Sequence, residues 1–590
     1  ITTGDWSSDV CSSDLAPPRG APRRNRGPLL VTAAYSPPAA EVWLRLLDTP
    51  GPLRRAMADI YGGGNLLDER AALVRAVVRR FLETHGNRPL RVFRSPGRIN
   101  LRGMHVDTHG GRLNLMTHHR ETVVAAAPSG DSLCHFVNLE PAYREARFDL
   151  ADGLSELSGD SWTAFIGSSK VANRVRERRA LPGEDWANYL EGASLRTVCG
   201  FPPESARGVL AAVGSDLPRG AALSSSAALC VSVLLAVHAL NGLPAQAEAL
   251  IRAEQDAEWF AGARVGMSDQ GAMILGRRGS LLNAALFAED FSLENAAHHD
   301  WPEGWRVLVV NSHTRRALSG AQLVDYTRNR FAYSMAMHVL RRAMLETGVP
   351  PERVLAMDRL SRITPGAFGG VPGLCALLAA VPEEISLDEL AERYDPPAMT
   401  ETYEKYFGAV DPALRPRRIR LRGPLAFGLA ESERARVFPG FLERDDAEGA
   451  GHLMSTGHDG DRVCDAHGGP YTCDLSDGAL ARLAETETPL SECPGAYGAS
   501  SPVLDFLVDG AIEAGALGAC LTGAGIAGAV LVLCREKEEG RIAEALRNRL
   551  ASADYRERGG REAPLTPSEL AAAVVVNRST AGACEIVPES

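Results

Sequence analysis

Apolar positions recur along the chain with two periods, and each period predicts a different kind of element. In residues 41–85, apolar side chains return every three or four positions, which predicts two amphipathic helices separated by the glycine run at 62–64. Short, mostly apolar runs follow at residues 91–93, 121–127 and 208–213. Turn-forming residues follow these runs, so the pattern predicts strands joined by loops in the first half of the chain.

The second half is mainly helical by the same criterion. A strong strand is predicted at 306–310. Beyond it, helices are predicted at 325–345, 441–454 and 501–517, and strands at 529–533 and 573–576. We place a boundary near residue 312, which divides the chain into domains over 41–311 and 312–590.

Length and charge limit the classes of function. A chain of 590 residues can hold two or three folded units with large cores. Its longest uncharged apolar run, residues 227–240, is shorter than the roughly 20 residues that a membrane-spanning helix needs. The formal net charge of −11 argues against nucleic acid as a partner. The eleven cysteines contain no Cys-x-x-Cys pair, which favours free thiols and a cytoplasmic protein.

The first forty residues differ from the rest in composition. Residues 1–15 have no apolar period and resemble a translated sequencing-adaptor peptide, so we treat them as non-native. Residues 16–40 contain six prolines, four arginines and no acidic residue, which predicts a disordered tail; a targeting peptide is the alternative.

The first polar motif, residues 95–111, combines a turn with three chemically active side chains. Arg98, His105 and Asp107 supply a guanidinium, an imidazole and a carboxylate within ten residues. Carboxylates and imidazoles can grip the paired hydroxyls of a sugar. The alternative is a polar surface loop with glycines for turn geometry.

The second motif, residues 219–240, places three serines immediately before a predicted helix. Ser224, Ser225 and Ser226 occupy the N-cap region, so backbone N–H groups and the positive end of the helix dipole point into the preceding loop. Such a loop suits the phosphates of a nucleotide, and serine hydroxyls can also bind Mg²⁺. No Gly-Lys-Ser/Thr follows, so this is not a Walker A loop, and an ordinary capped core helix is the alternative.

Two further segments contain residues that by themselves indicate a function only weakly. The glycines of residues 518–533 precede a strand instead of following one, which argues against a Rossmann dinucleotide site. Asp269, within the run Gly-Met-Ser-Asp-Gln at 266–270, is flanked by small and apolar residues and can serve as a general base or cap a helix.

The order of these motifs resembles that of the GHMP kinases, and within them that of the galactokinase-like sugar 1-kinases. The family's Pro-Gly-Arg-x-Asn-Leu-x-Gly-Glu-His-x-Asp is matched by residues 96–107 except at Met104. Its Gly-x-Gly-Leu-Ser-Ser-Ser-Ala-Ala is matched by 220–228 except at Ala222, and its Leu-Thr-Gly-Ala-Gly-x-x-Gly by 521–528. Its Gly-x-Met-Asp-Gln is approximated by 266–270. The resemblance implies an α+β fold of two domains, the first like domain 2 of ribosomal protein S5 and the second ferredoxin-like, with the active site in the cleft between them.

The resemblance also implies roles for individual residues. Asp269 matches the catalytic aspartate, and Arg98 matches the arginine that stabilises charge on the transferred phosphoryl group. His105 and Asp107 would read the sugar's ring hydroxyls, together with the positions of Met104 and Tyr326. The residues expected to bind ATP and its phosphates are Gly220, Ser224, Ser225, Ser226, Ala227, Thr522, Gly523 and Gly525. Ser225 and Glu258 are the candidate ligands of Mg²⁺. The expected partners are therefore ATP, Mg²⁺ and a small sugar, on a monomer or weak homo-oligomer.

The residue at position 104 leaves the identity of the sugar undecided. The family has Glu there, assigned to the C6 hydroxyl of galactose, and Met104 cannot make that contact. Galactose is favoured by the overall match, whereas galacturonate and L-arabinose are alternatives because an apolar side chain is compatible with a C6 carboxylate or with a missing C6. A non-catalytic sensor of sugar and ATP is an alternative of another class, and mevalonate or homoserine are other acceptors within the superfamily. The presence of both Arg98 and Asp269 favours an enzyme.

Overall fold

The structure is a computed structural model that describes residues 30–31, 35–157, 159, 161–218, 220, 222–263, 265–287, 295–314, 321–408 and 410–588. Of residues 321–323, 325 and 326 it describes the backbone only. The predictions for residues 1–29 lie outside the described residues.

The helices and strands are grouped into three consecutive blocks of the chain, residues 40–215, 225–420 and 422–586. The first block contains α1 (Ala40–Asp48), α2 (Pro52–Tyr61), α3 (Asn65–His85), β1 (Arg91–Arg102), β2 (Arg112–Pro128), β3 (Leu133–Asn138), β4 (Ala146–Asp149), α4 (Leu150–Leu157), α5 (Trp162–Gly167), α6 (Ser169–Ala180), α7 (Trp186–Val198) and β5 (Val209–Ser215). The second contains α8 (Ser225–Leu240), α9 (Ala247–Phe260), α10 (Ser268–Leu275), β6 (Ser280–Ala285), β7 (Ala297–Asp300), β8 (Trp305–Asn311), α11 (Ala321–Glu346), α12 (Pro351–Ala356), α13 (Val371–Ala379), β9 (Glu384–Ser386), α14 (Leu387–Tyr394), α15 (Met399–Phe407) and β10 (Arg418–Arg420). The third contains α16 (Arg422–Glu443), α17 (Ala447–Asp461), α18 (Asp477–Glu485), α19 (Pro502–Glu513), β11 (Gly518–Thr522), β12 (Ala529–Arg535), α20 (Glu539–Ala551), α21 (Ala553–Arg558), α22 (Pro567–Ala573), β13 (Val574–Val576) and β14 (Cys584–Ile586).

Within the described residues, the first sheet has eight strands and helices on both faces. Its main path is β14-β1-β2-β5-β3-β4, and β6 and β7 extend it from β2. Side chains of β2 alternate between two cores, because neighbouring residues of a strand point to opposite faces. Val123 and Ala125 pack with Phe81 of α3, whereas Val124 and Ala126 belong to the larger core that includes α8. The alternation fixes which face of the sheet each helix covers.

The second sheet is a smaller antiparallel one in the order β11-β12-β8-β13. In chain order α19 precedes β11 and α20 lies between β12 and β13, and both helices pack on this sheet. This is the β-α-β-β-α-β arrangement of a ferredoxin-like domain, with α11 to α18 inserted after its first strand.

Strand pairing divides the chain differently from the predicted boundary at 311/312. Residues 305–311 form β8, which pairs with β12 and β13 of the second sheet and not with the first. Residues 584–586 form β14, which returns to β1 of the first sheet. Both differences arise because strands pair with partners that are distant in sequence, whereas local patterns along the chain indicate only where each strand begins and ends.

The prediction of a disordered tail over residues 1–40 does not hold for residues 35–40. The amide of Leu90 donates to the carbonyl of Pro38, and the guanidinium of Arg91 lies 5.3 Å from the ring centroid of Tyr35. Residues 35–40 are therefore packed against the start of β1, where they supply a carbonyl to the amide of Leu90 and an aromatic ring to Arg91.

Two helical predictions change in detail. Residues 41–85 form three helices instead of two, because Pro50, Gly51 and Pro52 end α1 and start α2. The predicted helix at 441–454 is broken at 444–446, where Asp446 caps α17 by accepting a hydrogen bond from the amide of Gly449. Among the described residues, no helix is long and apolar enough to cross a membrane.

Candidate active site

The motifs of the two halves meet around one cavity of about 150 Å³. The end of β1 and the turn after it supply one wall, and the turn that leads into α10 supplies the second. Arg330 of α11, Tyr497 and the glycine-rich loop after β11 complete the lining from the second half. The cavity thus lies between the first sheet and the ferredoxin-like domain.

Asp269 is held at the cavity by two groups from different elements. Arg98 on β1 donates from Nε to Oδ1 of Asp269 at 2.7 Å. The Ser224 hydroxyl, at the start of α8, donates to the other carboxylate oxygen. Because Asp269 lies in the first turn of α10 and is 20% exposed, its carboxylate is both fixed and accessible from the cavity. The three residues belong to three separate motifs of the sequence, and the structure brings them together.

Asp107 lies beside Asp269 and is linked to it through Ser268. The Ser268 hydroxyl is 2.9 Å from Oδ2 of Asp107 and 3.3 Å from Oδ1 of Asp269. Gly266 makes this approach sterically feasible, because a Cβ there would lie 2.2 Å from Oδ2 of Asp107. The serine that replaces methionine in the family motif therefore bridges the two carboxylates.

Met104 and His105 form the part of the wall that faces the second half. Met104 is buried, and both its amide and that of Gly103 donate to Oε1 of Glu431 on α16, at 3.1 and 2.7 Å. His105 has a φ of +60° and stacks on Tyr497 with 4.6 Å between ring centroids. The two positions predicted to read the sugar therefore depend on contacts from α16 and from the loop around Tyr497.

The phosphate loop is held mainly by its backbone. Gly220, Ala222 and Ser224 all have positive φ, and α8 begins at Ser225. The Ala222 carbonyl accepts a hydrogen bond from Nη1 of Arg98. Ser225 and Ser226 are partly exposed at the helix start, whereas Ala227 is fully buried beneath them. The predicted phosphate-binding residues thus line the positive end of α8.

The glycine-rich loop of residues 521–528 closes on the phosphate loop, residues 220–228, from the second half. A Cβ on Gly523 would lie only 2.7 Å from the Cβ of Ala222, so the two loops touch where side chains are smallest. Thr522 is buried, and its hydroxyl donates to the carbonyl of Asn100 on β1 at 3.3 Å. Gly525 has a φ of +78° within the same turn. These contacts hold the loop of one half against the strand of the other.

The carboxyl of Glu258 and the neighbouring hydroxyl of Ser226 are oxygen ligands of the kind that Mg²⁺ binds. Burial, together with the nearby charge of Asp269, raises the pKa of its carboxyl to about 7, although the Ser226 hydroxyl donates to it and acts in the opposite direction. Its Oε2 is buried without a hydrogen-bond partner within the described residues. A carboxylate oxygen in need of a partner, beside a serine hydroxyl, is the kind of ligand that Mg²⁺ takes. Ser226, the neighbour of the predicted ligand Ser225, is the serine that the structure links to Glu258.

The carboxylates and other potential ligands of the protein would supply only part of a metal's coordination. In the part of the chain that the structure describes, no group of three or more His, Cys, Asp or Glu is arranged to hold a metal ion. Mg²⁺ in phosphoryl-transfer sites keeps waters and phosphate oxygens as ligands, so one carboxylate and a hydroxyl suffice on the protein side.

Several residues at or behind the cavity were not predicted, and the side chain of one predicted residue is not described. The side chain of Tyr326 lies outside the described residues, although its backbone belongs to α11. Arg330, one turn further along α11, lines the cavity. It belongs to the short polar run Tyr-Thr-Arg-Asn-Arg at residues 326–330, which begins with the predicted Tyr326 and could have indicated it. Tyr497, Glu431 and Asp461 belong to no motif that the sequence displays.

Three family signatures match separate parts of the chain. The galactokinase galactose-binding signature matches residues 79–128, the N-terminal domain of GHMP kinases matches 188–277, and the C-terminal domain of GHMP kinases matches 476–552. These segments contain Arg98, the serines of the phosphate loop, Asp269 and the glycine-rich loop of residues 521–528.

Individual relatives agree with these signatures. The galactokinase of Streptomyces coelicolor is 26% identical over 486 residues, which is 82% of this chain and 94% of that protein. The galactokinase of Chloroflexus aurantiacus is 30% identical over 266 residues, 45% of this chain; the match spans only 59% of that relative, and 57% of the galactokinase of Chloroflexus aggregans. The crystal structure of Lactococcus lactis galactokinase complexed with galactose superimposes with a TM-score of 0.55 at 18% identity, covering 86% of this chain and 97% of that one. The expected two-domain fold is thereby confirmed.

Proposed function

We propose that this chain, which matches the N- and C-terminal domains of the GHMP kinases and the galactose-binding signature of galactokinases, transfers the γ-phosphoryl group of ATP to the C1 hydroxyl of a galactose-like sugar. The observation that carries the proposal is the position of Asp269. Its carboxylate is held by Arg98 and Ser224, opens on the cavity and lies one serine away from Asp107.

The geometry supports a direct transfer with Asp269 as the general base. The carboxylate takes the proton of the C1 hydroxyl as its oxygen attacks the γ-phosphorus, and the bond to the β-phosphate oxygen breaks so that ADP leaves. Arg98 neutralises charge on the transferred group, since its guanidinium also reaches the Ala222 carbonyl at the edge of the phosphate loop. Phosphoryl transfer depends chiefly on positioning and charge neutralisation, and the loops of both halves contribute to these.

The nucleotide's phosphates would bind at the start of α8. The amides of Ser225 and Ser226 lie in the first turn of α8, and Gly523 closes the region from the other side. Mg²⁺ held by Glu258 and a neighbouring serine hydroxyl would shield the charge of the β- and γ-phosphates.

The identity of the sugar depends on the cavity wall around residue 104. The galactose-binding signature favours D-galactose. Met104 lines the cavity with an apolar side chain, which cannot hydrogen-bond a C6 hydroxyl and does not repel a C6 carboxylate. This observation keeps galacturonate and L-arabinose as the second candidates.

The test is a sugar screen with an assigned product. Purified protein is incubated with ATP and Mg²⁺ and, separately, D-galactose, D-galacturonate and L-arabinose, and ADP release is followed. We expect one of the three to be phosphorylated with kcat/KM at least tenfold above the others, and ³¹P NMR to show coupling of the new phosphate to the anomeric proton. Absence of turnover with all three, together with sugar and ATP binding measured by calorimetry, would instead support the non-catalytic sensor.

A further inference from the structure

The buried edge of His105 faces a carboxylate from the other half of the protein. Asp461, the last residue of α17, places Oδ1 3.4 Å from Nε2 of His105. The two side chains are only 2% and 5% exposed. Neither of these atoms has a hydrogen-bond partner within the described residues. A buried polar atom without a partner is costly, so two of opposite character that face each other indicate a functional pair.

Stacking restrains the ring of His105 on its face. It lies nearly parallel to the ring of Tyr497, at 12° and 4.6 Å between centroids, with Phe427 6.0 Å away. An imidazole held in this way can rotate little out of its plane. The group that faces the edge of the ring then decides which ring nitrogen carries the proton.

Backbone hydrogen bonds join the segment of Asp461 to the segment of Tyr497. The amide of Tyr497 donates to the carbonyl of Gly460 at 2.7 Å, and the amide of Ser500 donates to the carbonyl of Asp461 at 2.8 Å. His105 and Tyr497 line the cavity, whereas Asp461 is behind them. The second half of the chain therefore holds the imidazole from its face and from its edge through one connected segment.

We propose that Asp461 is a positioning residue for the sugar site: it accepts the Nε2–H of His105 and so leaves Nδ1 as an acceptor for a sugar hydroxyl. The inference rests on the proposed function, because it names how one sugar-reading side chain is prepared. A contact of 3.4 Å is long for a hydrogen bond, and such contacts often tighten when the substrate binds. The substrate's hydroxyl would thus complete a chain of donors and acceptors that ends on Asp461.

The experiment separates the state of the ring from turnover. In protein labelled with ¹⁵N-histidine and without any substrate, we expect the ring nitrogens of His105, assigned by their absence in His105→Gln, to show the proton on Nε2. Asp461→Leu, which removes the acceptor and keeps the branched shape of the side chain, should shift His105 toward a mixture of tautomers. Asp461→Asn keeps an acceptor oxygen and should retain most of the wild-type signal.

Kinetics then tests the consequence for the sugar. Asp461→Leu should raise KM for the sugar by about tenfold, with kcat and the KM for ATP changed by no more than about threefold, since one hydrogen bond to the sugar is weakened. Asp461→Asn should lie between this variant and the wild type. Asp505→Asn is the matched control, because Asp505 pairs with buried His458 at 3.1 Å in the same half without either residue lining the cavity. It should leave KM for the sugar unchanged.

Failure of this inference can be told from failure of the proposed function. If His105 has the same tautomer in the wild type and in Asp461→Leu, Asp461 does not position it, whether or not the protein is a kinase. An unchanged KM for the sugar in a folded Asp461→Leu variant would overturn the inference equally. If instead the tautomer shifts as expected and no sugar is phosphorylated, the positioning role stands and the proposed reaction is wrong.

Discussion

The sugar wall and the phosphate loop are built by opposite means. At the sugar wall, residues 103–105 are held by buried charged groups of the second half, with Glu431 binding two backbone amides and Asp461 facing His105. The phosphate loop relies on left-handed backbone and on small side chains that let Ala222 and Gly523 approach. If the proposed function holds, recognition of the sugar would therefore be sensitive to the loss of single buried carboxylates, whereas nucleotide binding would be sensitive to changes in backbone conformation.

The largest effect is expected at Glu431, the buried carboxylate behind the sugar wall. It receives hydrogen bonds from Arg434 at 2.6 Å and Arg102 at 3.2 Å, and all three side chains are almost fully buried. Glu431→Gln removes the negative charge that the two buried guanidinium groups share, so we expect the free energy of unfolding in urea to fall by about 3–5 kcal/mol. Glu433→Gln, on the same helix but in a pair with a half-exposed arginine, should cost no more than about 1 kcal/mol. Equal losses in the two variants would mean that the buried network does not hold the wall.

Glu431 also gives this region a defined response to pH. Burial alone would raise the pKa of its carboxyl, but the charges of Arg102 and Arg434 and their hydrogen bonds outweigh burial and lower it. A carboxyl whose pKa is lowered on folding contributes stability that is complete above its unfolded pKa of about 4.3 and is lost as the pH falls through the lower folded value. Urea titrations at pH 7 and pH 4 should therefore differ less in Glu431→Gln than in the wild type.

The next effect is on the choice of sugar. Met104→Glu should raise kcat/KM for galactose relative to galacturonate by tenfold or more, because a carboxylate can bind a C6 hydroxyl and repels a C6 carboxylate. Met104→Gln can form the hydrogen bond without the charge and should improve galactose with less discrimination against galacturonate. A ratio that does not change in either variant would show that position 104 does not set the specificity.

A smaller effect, confined to the nucleotide, is expected at Gly523. Gly523→Ala forces a positive φ on a residue with a side chain and brings its Cβ to 2.7 Å from that of Ala222. We expect KM for ATP to rise by about tenfold, a loss of roughly 1–2 kcal/mol, while KM for the sugar stays within about twofold. Adding Ala222→Gly removes the contact and should recover part of the loss. No recovery in the double variant would show that the two loops do not touch there.

The smallest effect is expected for Ala222→Gly alone. Ala222 has a φ of +57° at a position where the related kinases have glycine. Relief of that strain, partly offset by the greater freedom of glycine in the unfolded chain, should raise the free energy of unfolding by up to about 1 kcal/mol with ATP binding unchanged. Thermal unfolding would detect this, and a loss of stability would indicate that the Cβ contacts of Ala222 outweigh its strain.

The sequence located the residues that meet at the cavity better than it located the elements around them. Arg98, Ser224 and Asp269 were found because their motifs combine residue types at fixed short spacings, and the local periods located β1, β2 and β12. The predicted strand at 91–93 extends to Arg102, since β1 continues through Pro96 with an irregular register that alternation alone does not reveal.

Residues that act across the two halves could not be predicted in the same way. Glu431 and Asp461 lie more than 300 positions from the sugar wall that they contact, and they are isolated in sequence. Only the packing of α16 and α17 against β1 brings them there. The placement of β8 in the second sheet likewise depends on its partners β12 and β13 and not on its own pattern.

The central claim is that Asp269 is the base of a sugar kinase, and one comparison tests it most directly. Asp269→Asn keeps the shape of the side chain but removes the base, so it should lower kcat by about 10²–10⁴-fold while calorimetry finds sugar and ATP bound as in the wild type. Asp107→Asn, on the other side of Ser268, should instead act mainly on KM for the sugar. Turnover by Asp269→Asn at a rate near that of the wild type would contradict the claim.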